Sequence, residues 1–154
     1  MSDKTRAFSY VAVQFILLFL LFTAPRLPSP YGTLSGLLST IGLIVMALGF
    51  LVLAISFVRL GSSLTASPIP KEQGTLVTSG LYSRVRHPIY FGLLLLGIGV
   101  VLDAGWWPQL VILVFLYLLL RVKSDFEENL LRRRYSDYAA YAAKTPRFFP
   151  RLGK

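Results

Sequence analysis

Charge is almost missing from two long stretches of this chain: Arg26 is the only charged residue between Ala7 and Val58, and Asp103 the only one between Pro88 and Leu120. A soluble domain of 154 residues buries only about 70% of the surface of its unfolded chain, too little to hide two such blocks. A bilayer imposes the opposite demand. It needs about 20 consecutive apolar residues per helical crossing. The blocks therefore predict a small, all-α, integral membrane protein.

The same feature accounts for the charge balance. Sixteen Lys and Arg against seven Asp and Glu give a net charge of +9, yet only 15% of residues are charged and 55% are hydrophobic. A soluble nucleic-acid-binding domain carries more charge and less apolar bulk, so no nucleic-acid partner is expected. The positive charge belongs instead to the water-facing segments. Cysteine is absent and histidine occurs once, which leaves no thiolate nucleophile, no Cys-ligated zinc and no expected metal site.

Four apolar segments predict a single membrane domain over 1–154, with helices at 8–24, 34–60, 88–102 and 106–122. A signal peptide is disfavoured at the first, because a cut after Ala24 would put bulky Phe22 where a small residue is usual and Pro25 just past the bond. Arg26 to Gly32, with its two prolines, is a turn. In the second segment the small residues Gly36, Ser39, Gly42, Ala47 and Ala54 permit close approach of a neighbour. The third and fourth are short and joined at Asp103-Ala-Gly-Trp-Trp-Pro108, which predicts a tight hairpin with interfacial tryptophans. Lys and Arg concentrate in the N-terminus, the 61–87 loop and the C-terminal tail. A multi-pass arrangement with both termini cytoplasmic satisfies that bias.

Beyond Arg121 the sequence turns polar but keeps helical periodicity, predicting an amphipathic cytoplasmic helix over 123–143. Leu131, Tyr135, Tyr138 and Ala142 fall on one face, and extending it backwards reaches Glu127 and then Lys123. Glu128 lies about 100° away, where pairing with Arg132 one turn on gives an ordinary exposed salt bridge. Glu127 on the apolar face needs a partner, either Lys123 at i,i+4 or a bound ligand. Arg132, Arg133 and Arg134 read as a solvated or phospholipid-facing surface. The remaining cluster is Gly80 to Gly92. Pro88 suits the first turn of a helix, with His87 near its cap and Tyr90 one turn in. Arg84 and Arg86 beside it make either a capped, interface-anchored helix end or a site for a carboxylate or phosphate.

These strings resemble a known family. Thr78-Ser-Gly-Leu-Tyr82, Arg86-His-Pro-Ile-Tyr-Phe-Gly92, a hydrophobic hairpin, Glu127-Glu-Asn-Leu-Leu131, Tyr138-Ala-Ala-Tyr141 and Pro146-Arg-Phe-Phe-Pro150 are similar, in that order, to the isoprenylcysteine carboxyl methyltransferases. Related phospholipid N-methyltransferases and sterol reductases share parts of the pattern. The resemblance covers about residues 60 to 150 and implies a membrane methyltransferase that uses S-adenosylmethionine, with a lipid-linked or hydrophobic small-molecule acceptor reached from the bilayer. It carries cofactor contacts to Leu76, Val77, Tyr82, His87, Pro88, Ile89, Tyr90 and Glu127, in and after a cytoplasmic cofactor loop over 61–87. The family's substrate-side arginine falls on Lys123, which keeps the charge and loses the bidentate fork. Lys123 and Arg86 are the candidates for orienting an anionic acceptor. The competing expectations are a phospholipid N-methyltransferase, an NADPH-dependent sterol-type reductase, and a nonenzymatic accessory protein whose charged clusters only anchor helix ends.

Overall fold

The computed structural model describes residues 2–28, 31–65, 67–71, 74–104 and 107–150. Ser29 and Pro30 of the first expected turn lie outside the described residues. So do Ala66, Glu72 and Gln73 of the long loop, and Gly105 and Trp106 of the expected hairpin turn. Among the described residues five α-helices follow in order: α1 Asp3–Thr23, α2 Ser35–Leu60, α3 Pro88–Asp103, α4 Trp107–Arg134 and α5 Tyr138–Lys144. Short 3₁₀ turns occur at Gly32–Leu34, Gly61–Ser63 and Gly80–Ser83. Among the described residues there is no strand.

α1 begins under local control: the Ser2 hydroxyl accepts the Thr5 amide at 3.2 Å, and Asp3 sits in the first turn, where the helix dipole favours an anion. Pro25, just past the helix, cannot continue it. Among the described residues two segments, Asp3–Thr23 and Gly32–Leu60, are long and apolar enough to cross a membrane. Their apolar side chains point mostly outward, among them Phe15, Phe19, Leu43, Ile44 and Phe50. A soluble core helix would bury these. Outward apolar faces on both helices mark a surface made for lipid.

α3 occupies the centre. At 16 residues it is about 24 Å long, short of a typical hydrocarbon core. It is buried on nearly every side, through Leu93, Leu94, Leu96, Val100 and Val101. The expected tight pairing of the third and fourth segments is only part of the arrangement, because α3 packs most extensively on α2. The reason is a seam of glycines. A Cβ placed on Gly42 would lie 2.6 Å from the Gly99 carbonyl oxygen, and one on Gly49 would lie 2.9 Å from that of Gly92. On each helix the two glycines are seven residues apart, so the contact recurs every two turns and the backbones meet directly. Gly42 was among the small residues anticipated, whereas a Cβ on Gly36 would meet nothing within 4 Å.

Polar ties close the end of the bundle away from the long loop. Ser39 donates to Asp103 at 2.5 Å, Arg26 pairs with the other Asp103 oxygen at 3.1 Å, and the Gln109 amide donates to the carbonyls of Ala24 and Pro25. At the opposite end α4 departs from expectation. The separate helix anticipated over 123–143 does not exist, because α4 runs unbroken through 28 residues, about 42 Å, and stops at Arg134. The change from apolar to charged side chains after Leu120 does not interrupt backbone hydrogen bonding. The break comes at Tyr135–Asp137, where Ser136 and Asp137 favour local side-chain bonding over helix. Tyr138 and Ala142 therefore belong to α5 and do not continue the α4 face.

The seam predicts an asymmetric response to the smallest substitution. Gly99→Ala or Gly49→Ala forces the helices apart and should lower unfolding stability in detergent by about 1–3 kcal/mol. Gly36→Ala should leave it unchanged or slightly raised. Equal behaviour of the three variants in thermal unfolding would contradict the seam.

Candidate functional site

The chain enters α3 through a non-helical residue. His87 has φ −122° and ψ 68°, followed by Pro88 in the first turn, whose missing N–H costs nothing there. The backbone amides of Arg86 and His87 donate to the Pro146 and Arg147 carbonyls at 2.8 and 3.0 Å, so the C-terminal tail lies alongside the start of α3. Phe148 then inserts between the rings of His87, Tyr90 and Tyr117 with edge-on geometry, at centroid distances of 6.0, 6.1 and 6.2 Å. The His87 and Tyr90 rings stack at 5.1 Å and 2°.

Glu128 sits at the centre of this junction and overturns the expectation of an exposed salt bridge. Its side chain is 2% exposed. Oε1 accepts from Arg86 Nε at 3.0 Å, from Arg147 Nε at 3.0 Å and from His87 Nε2 at 3.1 Å, and Oε2 accepts from Arg147 Nη2 at 3.1 Å. The anticipated Arg132 contact exists at 3.6 Å, as the outermost member of the set. Burial by itself would raise the Glu128 carboxyl, but hydrogen bonds from His87 and Arg147 and the charges of His87 and Arg86 hold it at about 2. Arg147 also reaches Asp125 at 2.5 Å, and Arg86 Nη1 donates to the carbonyls of Ala142, at 2.8 Å, and Thr145. The Arg86 donors are thus engaged within the protein, which departs from its expected role of orienting an acceptor.

Glu127, one residue earlier on α4, points elsewhere. Its side chain is 27% exposed, Oε2 accepts from the Tyr90 hydroxyl at 2.7 Å, and His87 Nδ1 stands 3.6 Å away. Lys123 donates to Gln14 of α1 at 2.7 Å and lies 5.2 Å above the Tyr90 ring. The anticipated Lys123–Glu127 pairing gives way to this bond with α1. Gln14, Lys123, Tyr90, Glu127 and His87 thereby form a connected polar row inside the helices.

Two chambers meet on that row. One, enclosing about 650 Å³ including its mouth, lies against the described residues of the loop that follows α2, among them Ser63, Thr65 and Pro68, and is also lined by Leu76, Val77, Tyr82, Arg86, His87 and Glu127, with Leu131, Tyr135, Tyr138 and Tyr141. The other, about 1130 Å³, is walled by Phe15 and Leu18 of α1, Leu53 and Phe57 of α2, and Pro88, Ile89, Tyr90 and Leu93 of α3, with Gln14, Lys123 and Glu127. Tyr82, Arg86, His87 and Glu127 border both. All ten residues nominated from the sequence line one chamber or the other.

The loop over the first chamber is pinned by tyrosines. Gly80, at φ 63°, turns the chain into the 3₁₀ segment that carries Tyr82, a backbone region other residues rarely enter. Tyr141 donates to the Tyr82 carbonyl at 2.5 Å and Tyr135 to that of Gly74 at 2.7 Å. Sequence reasoning missed Gln14, Tyr135, Tyr138 and the structural weight of Glu128 and Arg147. The available signal was the Tyr138-Ala-Ala-Tyr141 and Pro146-Arg-Phe-Phe-Pro150 strings, which mark chain that folds back on the site.

The Glu128 junction has a pH signature. A carboxyl held below its ordinary 4.5 contributes stability that is fully present above 4.5 and is lost as pH falls towards about 2. Acid unfolding in that window should flatten in Glu128→Gln. Glu128→Ala, which leaves Arg86 and Arg147 without their buried anion, should cost about 3–5 kcal/mol at neutral pH. Unchanged neutral stability in Glu128→Ala would exclude the junction as a support.

The phospholipid methyltransferase family model matches residues 37–138. The chain is 35% identical over 144 residues to the cobalt-zinc-cadmium resistance protein CzcN of Cupriavidus metallidurans, covering 92% of this chain and 62% of that protein. It is 35% identical over 79 residues to the nickel-cobalt-cadmium resistance protein NccN of Alcaligenes xylosoxydans xylosoxydans, covering 50% of this chain and 37% of that one. The chain thus spans less than two thirds of the curated relatives it matches. With the matched segment running from within α2 to the start of α5, this chain belongs to the phospholipid methyltransferase family, membrane methyltransferases related to the isoprenylcysteine carboxyl methyltransferases.

Proposed function

We propose that the protein is an integral membrane methyltransferase that uses S-adenosylmethionine to methylate a lipid-linked or hydrophobic acceptor, with a carboxylate as the favoured acceptor group. The observation that carries this reading is the pair of chambers meeting at Tyr82, His87 and Glu127. One is polar-edged and roofed by a loop, suited to a nucleoside cofactor. The other is walled by apolar helix faces, suited to a hydrophobic acceptor. Four crossings, by α1, α2, α3 and the first part of α4, with the 61–87 loop and both termini on the cytoplasmic side, fit the distribution of Lys and Arg.

The chain's residues divide the work. Glu127, steadied by the Tyr90 hydroxyl, accepts from the ammonium or a ribose hydroxyl of the cofactor, and Leu76 and Val77 supply apolar wall beside it. His87, fixed by Glu128 and stacked on Tyr90, shapes the border between the chambers. Lys123, 4% exposed and bonded to Gln14, faces the apolar chamber as the cation for an acidic acceptor. Arg86 acts as a positioning residue through Glu128 and the tail. When bound, the sulfonium supplies an activated methyl carbon, and transfer to a carboxylate oxygen releases no proton. Orientation and exclusion of water are then what the protein must provide. An amine acceptor, as in a phospholipid N-methyltransferase, is the second reading, and the matched family's description names phospholipid as its substrate. The metals in the relatives' names suggest a link to metal tolerance. With one histidine and no cysteine, this chain is better equipped to modify the membrane than to capture such ions.

The test is transfer of labelled methyl from S-adenosylmethionine by purified protein into a membrane extract, separated into lipid, protein and water-soluble fractions. Label should enter the lipid fraction in an ester that mild base releases, whereas a base-stable N-methyl product would support the amine. Glu127→Gln should lower cofactor affinity by about 10- to 100-fold, the loss of one charge-assisted contact. NADPH raising the melting temperature where S-adenosylhomocysteine does not would replace this reading with a reductase.

A further inference from the structure

From Val11 to Phe22, α1 is apolar except for Gln14. An amide in such a helix is costly without a hydrogen bond, and Gln14 finds one across the bundle, where Lys123 Nζ donates to its Oε1 at 2.7 Å. A lysine ammonium has donors and no acceptor, so the amide must turn its oxygen to Lys123 and carry its NH2 group away from it. Among the described residues that nitrogen donates no hydrogen bond and is not a buried atom, so it keeps surface open to a ligand. Gln14 and Lys123 both line the apolar chamber. Lys123 is itself incompletely served. It is 4% exposed, and its contacts are the Gln14 bond and the Tyr90 ring at 5.2 Å, with no Asp or Glu oxygen within salt-bridge distance among the described residues.

A buried cation without an anion is a costly arrangement that an incoming anion relieves. The Gln14 bond also fixes what shape of anion fits, because it holds the amide nitrogen and the ammonium nitrogen no more than about 5 Å apart. The two oxygens of one carboxylate span that separation. We propose that Gln14 and Lys123 together form a two-donor fork for a carboxylate acceptor in the apolar chamber, with Gln14 as the specificity-determining residue contributed by α1. Lys123 supplies the charge, and the amide supplies the second directed donor that a lone lysine lacks. The inference rests on the methyltransferase reading above and adds to it the residue that separates a carboxylate from an amine, since two donors and a positive charge repel an ammonium group. Glu127, on the same polar row, is matched in that reading by the cofactor, which leaves the charge of Lys123 to the acceptor. The seat of α1 does not rest on Gln14 alone. Arg6 and Tyr10, two turns and one turn earlier on the same face, lie against Phe126 of α4 at 5.4 and 5.7 Å.

The test uses purified wild type, Gln14→Leu and Gln14→Glu in detergent, each titrated by calorimetry with decanoate, with its neutral amide decanamide and with decylamine. Binding of S-adenosylhomocysteine is measured on the same three proteins. Wild type should bind decanoate more tightly than decanamide, and decylamine least. Gln14→Leu removes one donor to a charged group and should lower decanoate affinity about 10- to 50-fold. Gln14→Glu keeps a bond to Lys123, and with it the seat of α1, but places a carboxylate in the fork. It should lose decanoate binding and reverse the preference to decylamine, an outcome that a merely structural Gln14 would not produce. S-adenosylhomocysteine should bind all three proteins alike, because Gln14 does not border the loop-side chamber. Decanoate bound by Gln14→Glu as tightly as by wild type, or a wild type that does not distinguish decanoate from decanamide, would overturn the fork. With S-adenosylhomocysteine still bound, either result leaves the methyltransferase reading standing. A wild type that does not bind S-adenosylhomocysteine would overturn that reading, and the acceptor role of the fork with it.

Discussion

A single buried carboxylate holds the working end of this molecule together. Glu128 projects from α4 into a junction that no one element could build: Arg86 and His87 come from the start of α3, 42 and 41 residues earlier in the chain, and Arg147 from the tail, 19 residues later. Such an anion is costly to bury alone, and each of its cations would be costly without it. The set is stable only when complete, so forming it fixes three segments at once. Arg86 extends the tie to the carbonyls that end α5, and Phe148 follows the tail into the apolar core beside Tyr90. The position of His87, and through stacking that of Tyr90, is inherited from this junction.

The adjacent glutamates divide their roles because neighbouring residues on a helix point about 100° apart. Glu128 turns towards the tail and becomes structure, while Glu127 turns towards the chambers and keeps a partly exposed carboxylate. Periodicity in the sequence separated the two residues but reversed their surroundings. Its apolar face was extended from α5 back into α4 across the break at Tyr135–Asp137, where helical register is lost. The partners that bury Glu128 also lie far away in sequence, beyond the reach of local spacing.

Other features were legible to different degrees for equally physical reasons. The charge-free blocks marked α1 and α2 because a lipid-facing helix tolerates almost no ionised side chain, and Pro88 marked the start of α3 because proline suits a first turn. The ten nominated site residues converge on two adjoining chambers, and motif order carried that information. The glycine seam was only partly visible. Gly42 stood out among small residues, but Gly49, Gly92 and Gly99 acquire meaning only once the register of α2 against α3 is known. Gln14 drew no notice, since a lone amide in an apolar helix signals nothing until Lys123 is found beside it.

The bond between Gln14 and Lys123 ties a helix outside the family pattern to the polar row. The family pattern extends over residues 37–138, whereas α1 ends at Thr23 and yet supplies Gln14, Phe15 and Leu18 to the apolar chamber. The loop-side chamber is built chiefly from chain inside the shared pattern. The apolar chamber adds to residues of α2 and α3 three from α1, a helix outside that pattern and outside the glycine seam. The apolar chamber therefore takes part of its wall from a helix that lies before the family pattern and is held to the rest by side-chain contacts, so its shape depends on how α1 is seated.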